Sequence, residues 1–98
     1  RYAEFRRVEA LQSFRRDVPH LAIWDDHETA NNSWKGGAEN HQPATEGDWN
    51  ARVTAALQAY YEWMPVRPVD VNNRRDNHRG FAYGDLADLL MLEERINA

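Results

Sequence analysis

The chain has 98 residues, 42% of them hydrophobic, with four Trp, four Tyr and three Phe. That suffices for one modest core burying roughly 60–70% of the unfolded surface, and it is too apolar for a disordered chain. A formal net charge of −4 argues against a nucleic-acid-binding surface, and the lack of cysteine excludes disulfides and thiolate metal cages. Local basic pairs do occur, at Arg6-Arg7, Arg15-Arg16 and Arg74-Arg75, but each is followed closely by an acid or a turn signal and reads as solvated surface. No run approaches the ~18 apolar residues of a membrane span.

In chain order, residues 1–16 are predicted to be helical, because Tyr2, Phe5, Val8, Leu11 and Phe14 recur every three residues among Glu and Arg. Asp17 and Pro19 end that pattern, since Pro disfavours a helical residue before it. The short apolar run His20-Leu21-Ala22-Ile23-Trp24 suits a buried strand. A loop rich in Asn, Gly and Pro follows over about residues 29–47, longer than the ~12–15 residues at which loops usually carry function or disorder. Asp48 is a natural N-cap for a helix from Trp49 to about Trp63, with Val53, Ala56, Leu57, Tyr60 and Met64 on one apolar face and Pro65 and Pro68 beyond its end. Phe81–Gly84 reads as a strand and turn, and Asp88–Glu93, around Leu89-Leu90-Met91-Leu92, as a second buried strand. The layout is helix, strand, long loop, helix, strand, strand: an α+β arrangement that looks incomplete. With no initiator Met and abrupt ends at Arg1 and Ala98, the chain is expected to be an internal piece of a larger domain.

The chemistry concentrates in Trp24-Asp25-Asp26-His27-Glu28, four ionisable residues directly after an apolar run. Carboxylates and imidazole are the side chains that hold hard or borderline metal ions, and His also moves protons near neutral pH. The same residues can equally cap a turn, sit on the surface, or open a helix. Spacing alone leaves both readings open.

Residues 19–28, followed by Asn31-Asn32, resemble the central motif of the alkaline phosphatase D family, an apolar strand ending in Trp-Asp-Asp-His-Glu. Residues 55–67, with Glu62-Trp63-Met64-Pro65-Val66-Arg67, resemble the family's next block, and residues 81–92 its following strand pair. The resemblance implies a layered metallophosphatase sandwich in the parent enzyme, of which residues 1–98 would be the central segment of the catalytic domain. It implies hydrolysis of phosphomonoesters or phosphodiesters, with Ca²⁺ and Fe³⁺ as the metals, and export from the cytoplasm.

Aligned with the Gly-Asn-His motif of the wider metallophosphatase group, Asp26 falls at a metal-binding position and His27 at the residue that assists the leaving group. Asp25 and Glu28 are then expected to orient His27 or close the loop. Asn31 and Asn32 are either turn residues or substrate contacts, and Arg79 either meets a phosphate oxygen or forms a surface salt bridge. His20 and His41 are weaker candidates, and Trp34 with Gly36-Gly37 could make a lid. Glu93-Glu94-Arg95 stands where family members often carry Asp-Thr-Arg, and no metal role is assigned to it. The family's upstream Asp motifs and downstream His motif find no counterpart, so the segment alone is expected to be inactive and to rely on the rest of the parent chain. The competing expectation is a stand-alone interaction domain without catalysis. Neither the specific ester nor the oligomeric state is readable from these residues.

Overall fold

The computed structural model describes residues 2–98. Six elements follow in order: α1 (Tyr2–Phe5), α2 (Glu9–Asp17), α3 (Pro43–Glu46), α4 (Trp49–Trp63), β1 (Arg79–Tyr83) and β2 (Ala87–Met91). The α+β reading therefore holds for the described residues. None of their helices is long and apolar enough to cross a membrane.

The helix expected over residues 1–16 is two helices, and residue 1 lies outside the described residues. Apolar residues every three positions step about 60° backwards around a 3.6-residue helix at each repeat, so one straight helix cannot keep them on one face. The chain breaks between them. Arg7 N–H bonds Glu4 O at 3.1 Å and Val8 N–H bonds Phe5 O at 3.2 Å, a tightened last turn, and Val8 is extended. Helix α2 stops at Asp17, two residues before Pro19, as expected.

Helix α4 is built as its sequence demands. The Asp48 carboxylate accepts from Ala51 N–H at 2.9 Å, supplying a partner for one of the orphan amides of the first turn. Trp49, Val53, Leu57 and Tyr60, spaced by four, four and three, are the residues it buries. They join Trp24, Ala30, Ala38 and Ile96 in the core, with Tyr61, Met64 and Val66 packed against it. Ala56 and Met64, placed on the buried face by the sequence pattern, are only half-buried.

Two strand expectations need correction. Residues 20–24 are not in a strand: the segment lacks regular structure and pairs with neither outer edge of the two-stranded β1–β2 sheet. Strand β2 forms close to its expected place, but it is not buried. Arg79 pairs with Met91 and Tyr83 with Ala87 in an antiparallel hairpin whose second strand exposes every residue except half-buried Met91. Gly84, with φ of 57°, permits the tight turn, and Leu86 N–H closes it on Tyr83 O at 3.1 Å. The long loop is also partly ordered: it contains α3 and a small bridge between Trp34 and Gly37.

Candidate functional site

The acidic run after Trp24 folds into a compact turn that sorts its four ionisable residues into different environments. Asp26 O accepts from Thr29 and Ala30 N–H, both at 2.9 Å, which reverses the chain. The Asp26 carboxylate then reaches forward six residues, its Oδ2 accepting from Asn32 N–H at 2.6 Å. Asn32 has a φ of 48°, a left-handed conformation that Asn tolerates better than most residues. Asp26 is only 6% exposed. The Asn32 amide holds its carboxyl below the usual carboxylate range, burial pulls the other way, and nearby His27 and Arg95 add smaller downward contributions.

His27 lies beside it on the open side of the turn. Its side chain is 72% exposed, with Nε2 3.7 Å from Asp26 Oδ2. It opens on a cleft of about 450 Å³ lined also by Tyr2, Phe5 and Glu28. Buried acid and accessible imidazole thus stand side by side on one turn.

The other expected residues are held by bonds within the chain. Asp25 Oδ1 pairs with Arg95 Nε at 2.5 Å, and Glu28 Oε2 accepts from Asp25 N–H at 2.9 Å, a bond that closes the turn locally. Asn31 and Asn32 both donate their side-chain amides to Glu39 Oε2, at 2.7 and 2.5 Å. Arg79 donates to Asn77 Oδ1 at 3.0 Å and to the Arg67 carbonyl. His41 is buried against Trp49 with its Nδ1 3.2 Å from Arg52 Nη1, which makes it a packed residue of the loop rather than one reaching outward. The Trp34 side chain lies along its own turn, so close that a Cβ on Gly37 would sit 3.0 Å from the indole.

The family model of the PhoD-like phosphatases matches residues 1–98, a span that includes this turn. The chain belongs to the PhoD-like phosphatase family. It is 36% identical over 97 residues to alkaline phosphatase D of Bacillus subtilis (strain 168), covering 97% of this chain and 16% of that protein. The chain thus spans about a sixth of the length of the relative it matches. No solved structure gives a significant match.

Metal chemistry is the expectation for a PhoD-like phosphatase, and the donor set tests whether these residues could supply it. Among the described residues no three His, Asp or Glu converge on one point. Asp25 is engaged by Arg95, Glu28 by the Asp25 amide and Glu39 by the two Asn side chains. That leaves Asp26 beside His27, which is not a metal centre. The segment does not fit a metal by itself.

Two residues of the surroundings were given no functional role by sequence reasoning, although Glu93 was noted as a departure from the family pattern. Glu93 is buried, and its carboxylate accepts from Trp24 Nε1–H and from the backbone N–H of Arg95, Ile96 and Asn97 at 2.8–2.9 Å. Its own N–H donates to His78 Nδ1 at 3.1 Å. The available signal was an acid directly after an apolar run, the same pattern that drew attention to Asp25 and Asp26. Asn77, only 1% exposed, bonds Arg79 through its carbonyl. A polar residue in a turn-rich segment carries no sign of that burial.

Proposed function

We propose that the chain is a segment of the catalytic domain of a longer metal-dependent phosphoester hydrolase, and that the turn at Asp26 and His27 is its contribution to the active site. The observation that carries this reading is the pairing on one turn of a buried, ionised carboxylate with an exposed imidazole 3.7 Å away. An acid fixed in its charged form suits a ligand to one ion of a polynuclear centre, and a hard oxygen donor favours Ca²⁺. Fe³⁺, the other metal implied by family resemblance, would require donors that these residues do not provide. The layered metallophosphatase sandwich is likewise proposed for the whole domain, and so is export of the parent protein.

His27 then supplies the proton chemistry. Its imidazolium Nε2–H donates to the ester oxygen as water attacks phosphorus, so that the new P–O bond forms as the old one breaks and the alcohol leaves neutral rather than as an alkoxide. Family membership and the accessible cleft beside His27 support phosphomonoesters or phosphodiesters as substrates. Asp25 and Glu28 serve the turn through Arg95 and the Asp25 amide, and Asn31 and Asn32 shape it through Glu39. Arg79, bound to Asn77 and Arg67, is a structural residue on this reading.

The test is hydrolysis of an aryl phosphomonoester and an aryl phosphodiester by the longer protein that carries this segment, before and after chelation, beside Asp26→Ala. Activity that disappears on chelation, returns with added Ca²⁺ and drops at least about a hundredfold in the variant supports the reading. A protein that hydrolyses neither ester with any metal, or a variant as active as its parent, overturns it.

A further inference from the structure

Glu93 and Arg95 lie some seventy residues from the turn in sequence, yet they grip it at two consecutive positions. Glu93 Oε1 takes the indole N–H of Trp24 at 2.9 Å, and Arg95 takes the carboxylate of Asp25. The grip is rigid for identifiable reasons. A buried carboxylate is costly unless its oxygens are bonded, and Glu93 receives four N–H donors, three of them backbone amides of its own following turn. Its side chain therefore has little freedom to swing. The Trp24 ring is fixed on its other faces by edge contacts with Tyr60 and Tyr61, with centroids 5.3 and 6.1 Å away. The ring cannot follow a loosened loop without leaving the core. Behind Glu93, His78 Nδ1 accepts its amide, tying the clamp to the residue before β1.

We infer that Glu93 and Arg95 are positioning residues, which set the orientation of His27 by clamping Trp24 and Asp25 immediately before Asp26 and His27. The inference rests on the proposed role of His27 at the leaving group. His27 is exposed, and among the described residues Asp26 is the polar neighbour that holds its ring, so the angle of its backbone decides where Nε2 points. That angle is inherited from the two clamped residues. The turn's own bonds, from Asp26 and Glu28, keep its shape but do not anchor it to the core. Beyond Asp26 and His27 the turn is held by buried Ala30 and by the Glu39 bonds to Asn31 and Asn32, and before them it is anchored by the segment after β2.

The experiment uses the longer protein and compares its rates on a para-nitrophenyl ester and on the ethyl ester of the same phosphoryl group. The first leaving group needs little protonation and the second needs much, so their rate ratio reports proton donation. Loss of folded protein cancels in that ratio. His27→Ala is expected to raise the aryl-to-alkyl ratio by about a hundredfold, and Arg95→Ala and Trp24→Phe each by about tenfold. Arg95→Lys, which keeps the charge opposite Asp25, is expected to return the ratio to within about threefold of the parent. If His27→Ala raises the ratio while Arg95→Ala or Trp24→Phe leaves it unchanged, the clamp is wrong and the role of His27 survives. If His27→Ala itself leaves the ratio unchanged, the leaving-group reading falls and takes the inference with it.

Discussion

The turn from Trp24 to Ser33 and the hairpin from Arg79 to Met91 are both short, irregularly flanked pieces of chain, and they satisfy their side chains in opposite ways. The turn carries charges, yet Asp26, Ser33 and its neighbour Trp24 are buried, and Asp25, Asp26, Glu28, Asn31 and Asn32 each have a named partner. The hairpin carries Leu, Phe and Tyr, yet Leu86 is 90% exposed and Leu90 69%. In the turn one bonded carboxylate, Asp26, is held inside while Asp25, Glu28 and Asn32 make their bonds at the surface, and in the hairpin apolar side chains face out. Exposed apolar side chains contribute little to holding the hairpin, whereas the turn is held by its bonded side chains, with the buried Ser33 hydroxyl the one left without a partner among those just named. Polar character says little about how firmly a segment is held here; the number of satisfied groups says more.

The largest stability effect should fall on the turn. Trp24→Ala removes a buried indole and one of the four donors to Glu93, and is expected to cost about 3–5 kcal/mol in urea denaturation. A cost under about 1 kcal/mol would mean that the turn is not anchored through Trp24. Helix α4 offers an intermediate case, a bond made at an exposed position. Asp48→Ala should cost about 1 kcal/mol, through loss of the acceptor for Ala51 N–H. A loss as large as that at Trp24 would show that bonding alone, without burial, sets the scale.

The acid limb of stability sharpens the comparison further. The Asp26 carboxyl is held below its ordinary range in the folded chain. Its contribution is therefore complete above the unfolded value of about 3.9 and drains away as pH falls through the lower folded value. Melting temperature should fall more steeply below about pH 4 in the parent than in Asp26→Asn, which carries no titrating group there. Parallel curves would remove Asp26 from the account of the turn. The smallest effect is expected in the hairpin: Leu90→Lys should change stability by less than about 0.5 kcal/mol and reduce self-association at high concentration. A large loss would show that Leu90 already packs against something.

Where the sequence foretold the structure, the determinants were local. Asp48, the spacing of Trp49, Val53, Leu57 and Tyr60, and Pro65 define α4 without reference to anything distant. Gly84 likewise marks the hairpin turn. The run from His20 to Trp24 misled because a strand exists only with a partner, and apolar residues do not announce whether one is present. The site divides along the same line. That residues 25–28 form a dense ionisable run was legible from their composition, and the roles proposed for them came from the resemblance. Which of the acids is buried was not, because an amide six residues ahead decides it for Asp26 and an indole 69 residues back helps decide it for Glu93. The resemblance supplied the family, and with it the roles that spacing left open.

The central claim is that the turn does the chemistry and the hairpin does not. Its most direct test is the turnover number of the longer protein with His27→Ala beside Leu90→Ala, on one alkyl phosphoester. The account predicts a fall of about a hundredfold or more for His27→Ala, the loss expected of a missing general acid, and a change within about twofold for Leu90→Ala. Equal rates in the two variants would contradict it.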